Sequence, residues 1–193
     1  MKGRSVILDQ IEGRAAAALM VDGKLQDLLI DPADDTPAPG AVFRAVVDRQ
    51  VKGQGGVFLK LPSGSAFLRQ GKGLAPGEVL LVQVTGYAEP GKAVPVTTRL
   101  LFKSRYAILT PDAPGLNISR AIRDDDERDR LLEIAHEEMA AAPEGHGLIL
   151  RSACAGADAE AVAEDVAAMR DLAEAVLADA TGGPELLLDA PDA

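Results

Sequence analysis

Arg151 and Ser152 are the two residues of this sequence with the types and position best suited to binding an anion. They follow Leu148–Leu150, an apolar run that predicts a short buried strand, and they precede four small residues and a helical pattern. A guanidinium and a hydroxyl at the end of a strand can donate several hydrogen bonds to a phosphate. Most such pairs are solvated surface groups, so the choice between the two interpretations depends on the rest of the chain.

Phe58 and Phe67 lie in two neighbouring predicted strands of a basic region. Residues 41–105 contain ten Lys and Arg residues and three acidic residues, a net charge of +7, whereas the whole chain of 193 residues has a net charge of -10. Aromatic side chains in basic strands can stack on the bases of an oligonucleotide, although a Phe in a strand is more often part of a core. The overall charge excludes a protein that coats nucleic acid with its entire surface.

The elements that would position these residues begin with a β-meander. Residues 6–8 and 15–30 are predicted as strands, with a hairpin at Val21–Lys24. Residues 31–40 contain three prolines and mark a boundary. Five short strands then follow, at 41–51, 55–61, 65–69, 78–88 and 93–99. Five closely spaced strands predict a small closed barrel of the OB type.

The remaining residues predict a small α+β unit. A strand at 101–109 is followed by residues 118–122 and by a helix whose N-cap is Asp124 and whose apolar face contains Leu131, Leu132, Ala135 and Met139. A strand at 148–150, a helix at about 158–180 and a last strand from Glu185 to Leu188, cut short by the end of the chain, complete it. The fold class is therefore α+β, divided at 1–36, 37–100 and 101–193.

The sequence lacks the common catalytic and metal-binding motifs. It has no phosphate-binding Walker loop, no GxGxxG, no HExxH and no pair of cysteines with zinc-binding spacing. The acidic run Asp124–Asp126 is better explained by the dipole at a helix start than by a metal site. We therefore predict a binding protein with no catalytic residue and no metal ligand. One cysteine and no long apolar segment predict a cytoplasmic protein.

Eight motifs carry a resemblance to a known family. In order they are VDGKLQDLLI (21–30), GAVFRAVV (40–47), GGVFLKL with AFL (55–61, 66–68), GEVLLVQV (77–84), GKAVPVTTRL (91–100), RYAILTP (105–111), ISRAI (118–122) and GLILRSACAG (147–156). Their order and spacing over almost the whole chain resemble the N-terminal part of the ribonuclease E/G family of bacterial endoribonucleases.

The resemblance implies a role for each section of the chain. Residues 1–36 would be the first strands of a ribonuclease-H-like subdomain that is completed further along the protein. Residues 37–100 would be an OB-fold RNA-binding domain, and residues 101–193 a sensor domain that recognises the 5′-monophosphate of RNA. The implied RNA-binding residues are Phe58, Phe67 and Lys92. The implied 5′-phosphate-binding residues are Arg151 and Ser152, where the family has Arg-Thr, with Ile108 and Arg120 beside them.

The resemblance also implies what this chain would not do alone. In the family, the magnesium-binding aspartates and the zinc-linking cysteines lie in later subdomains. We therefore expect a fragment of a Mg²⁺-dependent endoribonuclease of RNA processing and decay. It would bind single-stranded RNA with a 5′-monophosphate, without a cofactor of its own, and would be inactive alone; the full-length protein could form a homo-oligomer. Ser104 stands where the family has Gly, which places a side chain near the sensor pocket.

Two other hypotheses remain open from the residues alone. The first is a non-catalytic RNA-binding adaptor, which is distinguished by reading the gene beyond Ala193. The second is an acidic α+β protein without affinity for RNA, which predicts no response in an RNA titration even at low salt.

Overall fold

The structure is a computed structural model that describes residues 3–32, 36–51 and 55–191. It contains three β-sheets and two α-helices. Part of the predicted boundary, at residues 33–35, and residues 52–54, between the first two predicted barrel strands, lie outside the described residues.

The chain opens with a three-stranded antiparallel meander, as predicted. Its strands are β1 (Arg4–Ile11), β2 (Arg14–Val21) and β3 (Lys24–Ile30). The hairpin between β2 and β3 turns at Asp22 and Gly23, whose φ angles of 50° and 78° give the left-handed turn that suits the twist of paired strands. Apolar side chains of this sheet remain exposed, including Val6 and Leu8 at 64% and 72%.

The next five strands form a closed barrel, which confirms the predicted OB-like architecture. They are β4 (Val42–Gln50), β5 (Val57–Lys60), β6 (Ser65–Leu68), β7 (Val79–Val84) and β8 (Val94–Thr97). The order is β4-β5-β6-β8-β7, and pairing of β7 with β4 closes the ring. Alternate residues point inward, so the core is a cluster of small and branched aliphatic side chains together with Phe43.

The C-terminal sheet has helices on one face only. Its strands are β9 (Phe102–Lys103), β10 (Ala107–Thr110), β11 (Gly115–Ile118) and β12 (Gly147–Leu150), in the order β11-β12-β10-β9. The helices are α1 (Asp125–Met139) and α2 (Ala159–Ala178), which pack on the face that contains Ala107 and Leu148. The single strand predicted at 101–109 was wrong, because residues 104–106 form a turn between β9 and β10.

The predicted start of helix α1 is confirmed, but its buried face includes Ile134, and the predicted Leu132 and Met139 are only half-buried. The side chain of Asp124 accepts a hydrogen bond from the backbone N–H of Glu127 at 2.8 Å. The buried residues are Leu131, Ile134 and Ala135, whereas Leu132 is only half-buried. Ile134 was missed because the helix packs on both β12 and α2, which widens its apolar face beyond one line of residues.

The last strand, β13 (Glu185–Leu188), belongs to the barrel sheet and pairs with β4. The strand itself was predicted, as the last and unfinished strand of the α+β unit at 101–193. Its pairing with the barrel strand β4 was not predicted. Arg44 on β4, whose side chain is 6% exposed, binds this segment through Asp179, Glu185 and the carbonyl of Gly183. A third apolar cluster, including Val42, Phe102 and Val176, packs the barrel against β9 and α2.

Candidate nucleic-acid interface

Phe58 and Phe67 point outward from the barrel and contact each other. They are directly opposite in the pairing of β5 with β6, and their ring centroids are 5.2 Å apart with planes inclined at 52°. Their neighbours Leu59 and Ala66 are fully buried. Because successive residues of a strand face opposite sides, both Phe rings lie on the outer surface and outside the barrel core.

Two cations border this aromatic pair. The guanidinium carbon of Arg49 lies 4.6 Å from the ring centroid of Phe58, which is within range of a cation–π contact. Lys92 lies on the other side and forms an ion pair with Glu89 at 2.5 Å. Phe58, Phe67 and Lys92 therefore line one groove with a volume of ≈ 580 Å³, which we call the barrel groove. The structure brings the three residues of this predicted set together.

Arg49 was not predicted as a site residue, because a β-bulge determines which face of β4 its side chain lies on. Val47 pairs with Leu59, and the next pair joins Arg49 to Phe58, so Asp48 is an extra residue in β4. Without the bulge, the carboxylate of Asp48 would lie opposite Phe58. Asp48 instead forms ion pairs with Lys60 and with Arg49, each at 3.4 Å. A bulge of this kind has no clear sequence signal.

A second groove continues from the first along the barrel surface. It has a volume of ≈ 490 Å³ and shares Phe67, Lys92 and Ala93 with the barrel groove. It adds one exposed aromatic side chain, Tyr87, and two cations, Arg69 and Arg99. The two grooves together provide a continuous outer surface with three aromatic rings and four cationic side chains, which is the composition expected of a single-strand-binding surface.

The four residues predicted to form a phosphate site lie toward one end of the C-terminal sheet, where β11 and β12 finish. Strands β11 and β12 are parallel, with Ile118 opposite Leu150. Arg151 and Ser152 directly follow β12, and Arg120 lies in the turn that follows β11, so the three residues lie at the same ends of adjacent strands. Ile108 lies opposite Ile149, two residues before Arg151.

Arg151 is held by the turn at residues 104–106. Its backbone N–H donates to the carbonyl of Tyr106 at 2.7 Å, and its guanidinium Nη1 donates to the carbonyl of Ser104. The side chain is exposed, so the guanidinium is accessible to an anion that replaces or adds to this carbonyl.

The hydroxyl of Ser104 faces helix α2. It donates a hydrogen bond to Asp165 Oδ2, and the same carboxylate oxygen accepts from the backbone N–H of Tyr106 at 3.0 Å. The Ser104 Oγ also accepts from the backbone N–H of Ala107 at 3.1 Å. The side chain of Ser104 therefore fixes the turn on α2.

Helix α1 fixes the loop after Ser152. The carboxylate of Glu127 accepts from the backbone N–H of Gly156 at 2.9 Å and from Arg130 Nη2 at 2.7 Å. The hydrogen bond from Arg130 and then that from Gly156 lower the pKa of Glu127 to about 2. Arg130 also donates to the carbonyl of Ala157 at 3.2 Å, so the pair connects the loop before α2 to helix α1.

Cys154 is a packing residue. It is fully buried, and burial raises the pKa of its thiol. Its Sγ donates to the carbonyl of Tyr106 at 3.3 Å, the same carbonyl that accepts from Arg151. A protonated buried thiol is a poor nucleophile.

Comparison with known proteins points to one family. Residues 102–193 match the model of the ribonuclease E/G family. This match and the relatives below support the ribonuclease E/G family for this chain. The match contains the C-terminal sheet from β9 onward, both helices and β13, whereas the meander and the barrel precede it.

Individual relatives agree with this assignment. The chain is 34% identical to ribonuclease E of Nostoc sp. over 116 residues and 32% identical to ribonuclease E of Synechocystis sp. over 120 residues. These matches cover 59% and 62% of this chain. It is also 32% identical to ribonuclease G of Salmonella typhimurium over 94 residues, 49% of the chain. The matched regions are 16%, 17% and 19% of these relatives, so the chain corresponds to less than a fifth of their length.

No helix among the described residues is long and apolar enough to cross a membrane.

Proposed function

We propose that this chain is the RNA-binding and 5′-end-recognising portion of an endoribonuclease that cleaves single-stranded RNA in RNA processing and decay. In this proposal residues 37–100 bind the RNA strand and residues 101–193 bind its 5′-monophosphate. Residues 1–36 contribute strands to a ribonuclease-H-like subdomain. The match of the chain to the ribonuclease E/G family supports RNA as the ligand.

The observation that carries the RNA-binding part is the outward pair of Phe rings bordered by cations. Exposed aromatic rings stack on bases of any sequence, and each stacked base contributes about 1–3 kcal/mol. Arg49 and Lys92 lie at the margins of the groove, where phosphates of a bound strand would pass. This arrangement favours binding of single strands with little dependence on sequence.

The 5′-end part depends on Arg151 and its neighbours. A terminal monophosphate has more charge and more free oxygens than an internal phosphodiester, so a guanidinium with a nearby hydroxyl distinguishes the two. Arg151 would bind phosphate oxygens, Ser152 would donate from its hydroxyl, and Arg120 would add charge from the adjacent strand end. Ile108 and Ile149 provide an apolar surface beside them for the first base.

The cleavage step is not assigned to this chain. By the family resemblance, the full-length enzyme would use Mg²⁺. Within residues 3–32, 36–51 and 55–191, no three His, Cys, Asp or Glu side chains converge where they could hold a metal ion. The residues described here do not fit a magnesium site, and we derive no catalytic step from them.

An RNA titration at several salt concentrations tests the proposal. We expect the chain to bind a single-stranded RNA of about 16 nucleotides, the upper site size of one OB fold, with an affinity that falls as salt rises. The slope of log K against log salt should be about -0.7 for each phosphate contacted. Fluorescence anisotropy of a labelled RNA measures this directly. Absence of binding at low salt would contradict the proposal and favour a protein with no RNA role.

A further inference from the structure

A third groove continues from the barrel toward the C-terminal sheet, and we call it the connecting groove. It has a volume of ≈ 570 Å³ and shares Thr85, Thr97 and Arg99 with the groove that contains Tyr87. Lys103 of β9 lies further along its wall. The surface is therefore continuous from Phe58 on the barrel to the first strand of the C-terminal sheet.

The connecting groove has two cations that no acidic group neutralises. Arg99 and Lys103 are exposed, and neither side chain takes part in any salt bridge of the described residues. Asp189 is the acidic residue that lines this groove. Elsewhere on the barrel the cations of Arg49, Lys60 and Lys92 have carboxylate partners. Unpaired cations along a groove favour an anionic ligand.

In the C-terminal sheet, a row of paired residues runs across the strands from Lys103 toward Arg151. Lys103 lies opposite Ile108 on β10, and Ile108 lies opposite Ile149 on β12. Adjacent strands are about 4.8 Å apart, so this row crosses about 10 Å. Arg151 follows two residues after Ile149 and bonds to the carbonyl of Ser104, the residue after Lys103. The row faces away from the two helices, because alternate residues such as Ala107 and Leu109 are buried.

We infer that Arg99 and Lys103 bind the phosphates of the RNA segment that joins the 5′-end site to the barrel groove. This inference rests on the proposed function and adds to it a path for one continuous strand. The 5′ end would lie at Arg151, the next phosphates at Lys103 and Arg99, and the following bases on Tyr87 and Phe67. Two sites occupied by one strand bind more tightly than either alone, provided that the connecting segment fits the surface between them.

The test uses the double variant Arg99→Gln/Lys103→Gln of the whole chain, with three ligands. The first is a single-stranded RNA of about 16 nucleotides with a 5′-monophosphate, the second is the same RNA with a 5′-hydroxyl, and the third is adenosine 5′-monophosphate, which has no internal phosphate. We expect the Kd of the long phosphorylated RNA to rise about tenfold, through loss of the phosphate contacts that join the two sites. Its salt slope should fall by about 1.4, or 0.7 for each lost phosphate contact. Binding of the mononucleotide, measured by competition, should change less than twofold.

The matched control is Arg4→Gln/Lys24→Gln, which removes the same charge from exposed positions of the N-terminal meander. An equal loss of affinity in this control would mean that net charge alone is responsible, and would overturn the inference. An unchanged Kd for the long RNA in the Arg99/Lys103 variant would also overturn it. So would an equal weakening of the mononucleotide, because the two side chains would then belong to the 5′-phosphate pocket. If the wild-type chain binds both long RNAs with equal affinity, the proposed recognition of the 5′ end is wrong. This outcome is seen in the wild type alone, so it can be distinguished from a failure of the inference about Arg99 and Lys103.

Discussion

The character of the barrel groove depends on one extra residue in β4. The bulge at Asp48 turns Arg49 toward Phe58 and moves the carboxylate to Lys60. Phe58, Phe67 and Lys92 could be chosen from the sequence because aromatic residues in a basic run are visible there. Arg49 could not be chosen, because alternation alone would have placed Asp48 beside the ring.

Replacing Phe58 or Phe67 with Leu should weaken RNA binding without unfolding the barrel. Both rings lie outside the core, so the substitution keeps an apolar side chain and removes the stacking surface. We expect each variant to lose about 1–3 kcal/mol of binding free energy. Anisotropy titrations measure the loss, and Leu28→Ala, an exposed apolar truncation on β3, is the control. Wild-type affinity in both Phe variants would show that the aromatic pair does not contact RNA.

The Glu127 carboxylate should make stability depend on acid pH. Its pKa is lowered from 4.5 to about 2 by Arg130 and the N–H of Gly156. A lowered pKa in the folded state gives stability that is complete above pH 4.5 and is lost as the pH falls toward 2. The difference in unfolding free energy between wild type and Glu127→Gln should therefore shrink over this range.

Urea unfolding at several pH values measures that difference. Repeating the comparison in an Arg130→Met background provides the control, because the main cause of the lowered pKa is then removed. A difference that stays constant from pH 6 to pH 2, or one that is unaffected by Arg130→Met, would contradict this account of the pair.

The elements with local signals were predicted from the sequence, whereas the long-range pairing of β13 with β4 was not. The five barrel strands follow from alternation and from turns rich in Gly and Pro, and α1 follows from its cap at Asp124. The pairing of β13 with β4 joins residues about 140 positions apart in the sequence, such as Glu185 and Arg44. No local pattern encodes such a pairing. From the sequence alone, Arg44 cannot be distinguished from the basic residues on the surface, although it is buried.

Strand β12 tolerates no side chain at its first residue. A Cβ added to Gly147 would lie 2.0 Å from the carbonyl oxygen of Ala113 and 2.9 Å from that of Gly115. Both are backbone atoms of the neighbouring segment and cannot move aside independently. We expect Gly147→Ala to destabilise the chain by about 3 kcal/mol or more.

Thermal or urea unfolding tests this, with Gly183→Ala as the matched control, since a Cβ there meets nothing within 4 Å. The variant should also weaken recognition of a 5′-phosphate, because β12 positions Arg151. Equal stability of the two variants would show that the approach of β12 to residues 113–115 is looser than the structure describes.

At the scale of the whole molecule, charge separates the chain into two regions. Residues 41–105 have a net charge of +7, whereas residues 151–193 have a net charge of -8. The sequence alone revealed this division, and the structure adds that several of the basic residues lie along connected grooves that reach Lys103 of β9. Continuity of a surface depends on tertiary packing, here the cluster of Val42, Phe102 and Val176, and so it could not be predicted from local patterns.

The proposed recognition of the 5′ end is tested most directly by comparing one RNA oligonucleotide with a 5′-monophosphate and with a 5′-hydroxyl. We predict that the wild-type chain binds the phosphorylated form at least about tenfold more tightly, since charge-assisted hydrogen bonds to Arg151 and Ser152 contribute about 1.5–3 kcal/mol. Arg151→Ala should remove this preference and leave the affinity for the hydroxyl form unchanged. Equal affinities for the two forms in the wild type, or a preference that persists in Arg151→Ala, would contradict the account.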